Sequence, residues 1–445
     1  INGHINEDIF CYDIKRFQKF HSDLGFIKKR ITESLGDLYG MHWPFKQHKT
    51  SRNIKTLPYH NELRSFGACF GVSGGYERPM WFALDGEKTE YEYSYNFQNW
   101  YPSAEYETNN TIKNVGLFDL TPFSKFEIKS NQANKELQKI CTSNIKNEIG
   151  KCVYTHMLNP DGGIETDLTV VCIDKDHFRI ISSAATRERD KFHINKHLTK
   201  DVELKDVTDD YCVFGVFGPK SRALMKSISK DNFENDNFRF STAKYITIEG
   251  IKIWTQRLSY VGELGYELYV KFKDAKKIYE LLINKGKDFN LSNCGMHAMD
   301  IMRMESGFLH WGHDISPEEN QYQAGLSFTI SNKKNVDFIG KSALEKIDKE
   351  KIKTRFAMFI LKDSKPGEPL LLHDEPIYLE DKIIGRSTSG NYSFNFKKNL
   401  TFGYINNDFS NEKLKGSKLF IEVEKKKYEI EFINKPLKQT NFKNN

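Results

Sequence analysis

Three stretches hold residues whose types and spacing could do chemistry. In Tyr154-Thr155-His156-Met157-Leu158-Asn159-Pro160-Asp161-Gly162-Gly163-Ile164-Glu165-Thr166-Asp167-Leu168-Thr169-Val170, the Asn-Pro-Asp-Gly run is turn chemistry between two apolar runs, which predicts a hairpin. Along its second strand Glu165, Asp167 and Thr169 share one face, while Ile164, Thr166, Leu168 and Val170 share the other. Two carboxylates two residues apart on one face destabilise each other unless a cation or solvent relieves them. Two readings follow. Either the face is simply solvated, or one carboxylate is poised beside a positive charge that develops during a reaction.

The second stretch, Arg257-Leu258-Ser259-Tyr260-Val261-Gly262-Glu263-Leu264-Gly265-Tyr266-Glu267-Leu268-Tyr269, has two glycines bracketing a tight turn between strands. Such a turn can bring Tyr260 and Glu267 near one another despite their odd separation. A carboxylate accepts two parallel N–H bonds from a planar amino-heterocycle, and an aromatic ring offers that flat ligand a stacking surface. A purely structural Gly-rich hairpin reads the same way. The third stretch runs Met302-Arg303-Met304-Glu305-Ser306-Gly307-Phe308-Leu309-His310-Trp311-Gly312-His313-Asp314. Arg303 sits amid methionines on a predicted helix, so its burial demands an acidic partner. His310 and His313 lack a third ligand at metal-binding spacing, so no metal site is assigned. The chain holds no nucleophile elbow, papain-like cysteine signature, GxGxxG or P-loop.

The elements that must position these residues alternate between strand and helix from about 110 to 345. Phe126–Ile128 leads into a helix around Lys135–Ile140, and Phe178–Ser182 into Arg187–His197. Cys212–Phe217 reads as a buried strand, with Gly218-Pro219 opening a helix through Leu224 and Ile228. Asp274 is a candidate N-cap for a helix that stops at Gly286, and His297–Ser306 is a further helix ending at Gly307. Near the start, Phe17, Phe20, Leu24 and Ile27 recur at helical steps that end near Gly40. The last hundred residues turn to period-two patterning, in Phe356–Leu361, Ile377–Leu379, Ile383–Ile384, Phe402–Ile405, Leu419–Val423 and Tyr428–Ile433. That pattern implies a small closed antiparallel barrel. The fold class expected is therefore α+β: mixed sheets and helices followed by a C-terminal antiparallel β-barrel.

Composition narrows the function classes. A chain of 445 residues holds two or three domains, and 38% hydrophobic with 28% charged residues excludes wholesale disorder. No apolar run is long enough to span a membrane, and the polar first forty residues hold no secretory leader. A net charge of +6, spread without an arginine stripe or nucleic-acid motif, argues against a nucleic-acid partner; the basic tail from Lys425 to Lys443 reads as a solvated surface. Seven dispersed cysteines without a CxxC pair point to a reducing compartment. The opening Ile1, in place of Met, reads as a processed product or a fragment.

In order and spacing these stretches resemble the glycine-cleavage T-protein superfamily, which moves a one-carbon unit onto tetrahydrofolate. The resemblance runs from about residue 60 to 440. It includes Gly218-Pro219, Phe338-Ile339-Gly340-Lys341-Ser342-Ala343-Leu344 and Gly385-Arg386-Ser387-Thr388-Ser389-Gly390. Asp13–Phe17, Gly75–Phe82, Tyr154–Val170, and His310-Trp311-Gly312 followed by Ala324-Gly325-Leu326 are closer to the C-terminal half of dimethylglycine and sarcosine dehydrogenases. That likeness implies three units: residues 1–57 as the end of a flavin-dependent oxidoreductase domain, 58–345 as the folate-binding aminomethyltransferase-like domain, and 350–445 as the barrel. It implies FAD only in an N-terminal half outside this chain, which is then a fragment or works beside a separate flavoprotein. Its partners would be tetrahydrofolate and an iminium or methylene donor from the flavin domain. The setting would be the cytoplasm in a bacterium or the mitochondrial matrix in a eukaryote.

Carried over by position, Asp167 matches the family's catalytic aspartate, which favours a cationic iminium and accepts a proton as the folate amine attacks. Thr169 can hydrogen-bond that carboxylate or the ligand. Glu267 matches the residue gripping the pterin edge, Tyr260 and Tyr154 match ring-contacting positions, and Arg303 matches an arginine near the pterin and its glutamate. The pattern Gly162-Gly163-x-x-x-Asp167-Leu168 is intact. The alternatives of the same resemblance are a stand-alone aminomethyltransferase, a folate-dependent demethylase, and a non-catalytic folate-binding subunit.

Overall fold

The hairpin expected at residues 154–170 pairs Cys152–Leu158 with Ile164–Asp174, setting Tyr154 opposite Thr169 and His156 opposite Asp167. In this computed structural model, which describes residues 10–439, the hairpin edges a five-stranded antiparallel sheet. The order is Cys152–Leu158, Ile164–Asp174, His177–Ser182, Ser124–Lys129 and Leu204–Asp206. Burial alternates along Ile164–Val170 as the residue types require. Leu168 and Val170 pack with Ala133, Leu137 and Ile140 of helix Ala133–Ile140 and with Ile194 of helix Arg187–His197. The opposite, odd-numbered face continues through Val171 and Ile173 into a core shared with a second sheet.

That second sheet has six strands in the order Ala243–Ile248, Ile251–Gln256, Gly265–Lys271, Tyr211–Phe217, Val115–Asp119 and Leu291–Cys294. All its pairs are antiparallel except the last. Trp254, Tyr269, Val213 and Phe217 meet Cys152, Val171 and Ile173 from the first sheet. Its other face carries Ile253, Leu268 and Val270, covered by Leu224 and Met225 of helix Ser221–Ile228 and by Ile278 and Leu282 of helix Ala275–Gly286. The result is two sheets face to face with helices outside. Residues at the mouth of the inter-sheet layer are therefore recessed without being sealed.

The expected barrel is present and closed: Thr354–Leu361, Lys398–Asn406, Lys382–Ser393, Pro376–Leu379, Leu419–Val423 and Lys426–Ile433 pair in a ring around Phe359, Ile377, Ile405, Ile421 and Ile430. Closure leaves no free strand edge. Helix Met296–Glu305 lies between barrel and sheets, which is why eight of its ten residues, Arg303 and Glu305 included, are buried. Met302 packs in the inter-sheet core while Met304 packs on Leu400 and Phe402 of the barrel.

One element differs from expectation. The N-terminal helix spans Leu24–Asp37 only; Phe17 caps the 3₁₀ turn Ile14–Arg16 in extended conformation, and Phe20 lies in a second such turn, Lys19–Ser22. Asp23 accepts from the Phe26 N–H at 2.7 Å and starts the helix at a position that hydrophobic spacing alone passes over. Lys443, at the end of the basic tail, lies outside the described residues.

Candidate active site

Asp167 stands at the mouth of the inter-sheet layer, half-buried. Burial pushes its carboxyl up to about 6 against the pull of the Tyr154 hydroxyl, which donates to Oδ2 at 3.2 Å. Tyr154 is 38% exposed and gives the recess one aromatic wall. Behind it His156 is completely buried, with Nε2 3.3 Å from the Tyr154 oxygen and Nδ1 3.0 Å from Thr329 Oγ1. Burial drives the imidazole down to about 3, so it is neutral at ordinary pH. Thr169 shares the face but makes no bond to the carboxylate. Directly opposite Tyr154, it is displaced along the strand from Asp167, so the longer tyrosine supplies the donor.

The paired carboxylates on this strand are relieved by a cation. Arg189, from helix Arg187–His197, binds Glu165 at 2.7 Å and lies over the Trp311 ring at 5.1 Å from its centroid. Trp311 in turn donates from Nε1 to the Ile164 carbonyl at 3.0 Å. Glu165 is thereby a structural residue, and Asp167 is left with a hydroxyl as its partner rather than a counter-charge.

Tyr260 enters from the loop after Ile251–Gln256. Its hydroxyl donates to the Leu309 carbonyl at 2.9 Å, and its ring lies parallel to Phe308 with centroids 5.9 Å apart. Burial raises its phenol first, and Arg303 and Asp167 then act on it electrostatically in opposite senses. Tyr154 and Tyr260 are themselves electrostatic neighbours. The turn thus brings Tyr260 to the Asp167 side of the site.

Glu267 comes from the other sheet. Burial pushes its carboxyl up to about 7 although Tyr269 donates to it at 3.0 Å. Tyr269 and Trp254 are a cross-strand pair in the inter-sheet core, and Glu267 and Gln256 are the next pair on the same face. Gln256 is fully buried, yet neither its amide nitrogen nor its oxygen has a hydrogen-bond partner among the described residues. An orphaned buried amide costs roughly 1–3 kcal/mol. Beside a carboxylate pushed toward neutrality, it forms a surface suited to a flat ligand bearing several donors and acceptors. Cys152 lies within electrostatic reach of Glu267. Because Cys152 shares its strand face with Tyr154 and His156, both halves of the site address one layer.

Arg303 is 2% exposed and makes four hydrogen bonds inside the chain: to Asp300 at 2.8 Å, Asp314 at 2.5 Å, the Phe308 carbonyl at 3.1 Å and Ser389 at 2.9 Å. Its acidic partners are therefore Asp300 and Asp314. Asp314 also accepts from Thr388 at 2.6 Å and Ser389 at 2.7 Å, tying the barrel to the helix that carries Arg303. The guanidinium is an electrostatic neighbour of Tyr260.

The sequence reading did not single out His156, Thr329, Gln256, Asp300 or Asp314. Period two along Cys152–Leu158 would have found His156, because it shares the Tyr154 face and opposes Asp167. Gln256 follows once its register with Glu267 is known. Thr329 carries no local signal, being brought in from a remote loop. Among the described residues one group has metal-ligand geometry, Glu33, Asp37 and His48. There the Glu33 carboxylate already accepts from the Lys49 and Thr50 N–H groups. No described helix is long and apolar enough to cross a membrane.

Known protein domains match the chain in three segments. Residues 59–334 match the GCVT N-terminal domain, 355–438 the glycine cleavage T-protein C-terminal barrel domain, and 2–56 the FAD dependent oxidoreductase central domain. The chain is 37% identical over 393 residues to the formaldehyde-forming 4-methylaminobutanoate oxidase of Paenarthrobacter nicotinovorans, covering 88% of this chain and 47% of that protein. It is 31% identical to human mitochondrial dimethylglycine dehydrogenase over 98% of this chain and 50% of the relative. It spans about half the length of both relatives. The crystal structure of the glycine cleavage system aminomethyltransferase T from Bartonella henselae superposes with a TM-score of 0.73 at 20% identity, covering 87% of this chain and 98% of that one. With one family domain over more than half its length and the family's barrel following it, this chain belongs to the glycine cleavage T-protein family.

Proposed function

We propose that this chain transfers a one-carbon unit at the methylene level to tetrahydrofolate, as the folate half of an FAD-dependent oxidation of an N-methyl amine such as dimethylglycine or sarcosine. The observation that carries this reading is the pair of half-buried carboxyls pushed upward, Asp167 and Glu267, on the faces that the two sheets turn toward each other. Tetrahydrofolate supplies an amine nucleophile and a flat heterocycle. Glu267 and the unpartnered Gln256 fit the heterocycle's hydrogen-bonding edge. Tyr154 and Tyr260 offer ring faces, and Thr169 lies within the same recess. Asp167 would stabilise a cationic centre in the ionised state and accept the proton released as the amine attacks. A pKa near neutrality suits both tasks. Arg303 acts from behind, fixing Tyr260 and the barrel.

The domain boundaries at 57 and around 345–350 belong to the same proposal, and the three family matches support them. So does flavin chemistry outside the described residues. Tyr12, Ile14, Leu24, Leu38 and Tyr39 are each at least 66% exposed, an apolar row consistent with a flavoprotein body seated on the first forty residues. The six described buried, unpaired cysteines suit a reducing compartment.

Calorimetric titration with tetrahydrofolate under anaerobic conditions tests the reading. Binding in the micromolar range, about −8 kcal/mol, should be lost in Glu267→Ala. In Asp167→Asn it should persist while transfer, coupled to a flavin-dependent amine oxidase, is abolished. Equal affinity in Glu267→Ala, or full transfer by Asp167→Asn, would overturn it.

A further inference from the structure

The reacting carboxylate proposed above has a polar tail that its own chemistry does not use. Tyr154 owns one hydroxyl hydrogen, and it goes to Asp167 Oδ2 at 3.2 Å. His156 Nε2 lies 3.3 Å from the same phenol oxygen, so it must be the protonated ring nitrogen and donate. Nδ1 is then bare and accepts from Thr329 Oγ1 at 3.0 Å. The Leu326 carbonyl, 2.8 Å away, is the other acceptor open to that hydroxyl; with the hydrogen turned to Nδ1 the carbonyl still keeps the Thr329 N–H at 3.0 Å. With Nε2 protonated and the Thr329 hydroxyl turned to Nδ1, every hydrogen in the row points toward Asp167.

We propose that His156 is a positioning residue, resting on the folate-transfer reading: through Tyr154 it commits a hydrogen to Asp167 and holds that carboxyl in its ionised, proton-accepting form, with Thr329 selecting the ring tautomer. Protonation of Asp167 on Oδ2 reverses the row. Asp167 then donates to Tyr154, Tyr154 to Nε2, Nδ1–H to Thr329, and Thr329 to Leu326. The imidazole loses a proton at Nε2 and gains one at Nδ1, staying neutral, so only Asp167 changes its proton count. Burial, which alone shifts the imidazole, keeps it from charging instead. A hydrogen-bonded row that can invert without charging responds to the carboxyl's protonation at low cost.

The other groups around this row are accounted for. Tyr260 faces Tyr154 and Asp167 from its loop, with Arg303, Asp300 and Asp314 behind it. On Asp167's own strand Glu165 is held by Arg189. From the facing sheet Glu267 is engaged by Tyr269. None of these reaches His156, so the imidazole reports on Asp167 through Tyr154.

The test uses the whole chain labelled with ¹⁵N-histidine. Long-range ¹H–¹⁵N spectra are taken from about pH 8 down to about pH 5, with the His156 signal identified by its loss in His156→Gln. The expected result is the Nε2–H tautomer at high pH, moving to Nδ1–H with a midpoint near that of Asp167. The movement should vanish in Asp167→Asn and in Tyr154→Phe. One tautomer throughout, or unchanged movement in Asp167→Asn, overturns the proposal. In the coupled transfer assay, His156→Phe should slow transfer by about fivefold at pH 6, for a one-unit rise in the carboxyl's pKa. The deficit should fade at high pH, and His156→Gln, whose amide can donate to Tyr154, should recover the profile. Loss of transfer in Asp167→Asn with an unmoved profile in His156→Phe sinks the positioning role alone. Full transfer by Asp167→Asn sinks the folate-transfer reading instead, and the tautomer spectra remain decisive for the row.

Discussion

Asp167 is kept in a state that works against folding. Its ordinary value is 3.8, and burial in the recess lifts it to about 6. Because the folded-state value is the higher, the protonated carboxyl is the form that the fold tolerates. The associated stability is fully present below about pH 4 and is lost as pH rises through 6. Two units correspond to about 3 kcal/mol at most, less whatever solvent reaches the half-buried group. Asp167→Asn should therefore raise the denaturant midpoint at pH 7.5, with the gain shrinking to nothing near pH 4. Equal midpoints at both pH values would mean that the carboxyl is not strained. A stabilised variant that cannot transfer is what a functional carboxylate predicts, since reactive sites hold groups that the fold alone would discard. Glu165, on the same strand face, is the contrast: its carboxylate is paired with Arg189 at 2.7 Å.

At the scale of elements, two contacts decide whether the recess keeps its shape. Asp314 is 1% exposed and joins Arg303 to Thr388 and Ser389, where the barrel strand Lys382–Ser393 shifts register between Ser387 and Ser389. Removing Asp314 leaves Arg303 paired with Asp300 but deprives a buried guanidinium N–H and the Thr388 and Ser389 hydroxyls of their acceptor, costing about 1–3 kcal/mol. Asp314→Ala should lower stability by that amount, with faster hydrogen exchange in Lys382–Ser393 and in helix Met296–Glu305. Protection unchanged in both would show that the barrel docks by apolar packing alone. Gly163 is the second contact. A Cβ there would lie 1.9 Å from the Pro317 carbonyl oxygen, so Gly163→Ala must displace the Asp167 hairpin or the 317 loop. We expect a loss of about 2 kcal/mol or more, with weakened transfer, read by chemical denaturation and the coupled assay. These elements were largely legible in the sequence. Strand period placed Glu165, Asp167 and Thr169 on one face, and helix and barrel signals agreed with Arg187–His197, Met296–Glu305 and the six closed strands. What local pattern could not supply was pairing at a distance. Asp314 for Arg303, Thr329 for His156 and Arg189 for Glu165 all depend on which loop or helix the fold brings over, and Asp23's cap overrode the apolar spacing from Phe17.

On the scale of the whole molecule, the described apolar surface is unevenly distributed. The two sheets and the barrel bury their apolar faces in shared cores, whereas Tyr12, Ile14, Leu24, Ile31, Leu35, Leu38, Tyr39 and Met41 are each at least half exposed within thirty residues. The same segment is nevertheless anchored to the body: Phe20 fills the space over Gly75, Glu33 accepts from the Lys49 and Thr50 N–H groups, and the stretch that follows is held by Arg52 and the Asn53 N–H on the buried Glu77. A firmly held segment presenting an apolar row has the character of an interface and not of a frayed end. Taken alone, the chain should therefore associate weakly through this face. Sedimentation equilibrium across a tenfold concentration range should show a rising mean mass, and Leu24→Glu with Leu38→Glu should return it to the monomer value. Because neither leucine lies in the recess, affinity for tetrahydrofolate should be unchanged in that double variant. A strictly monomeric wild-type chain that also fails to bind a hydrophobic dye would show that this row is satisfied by solvent, and would remove the main structural support for a flavoprotein seated there.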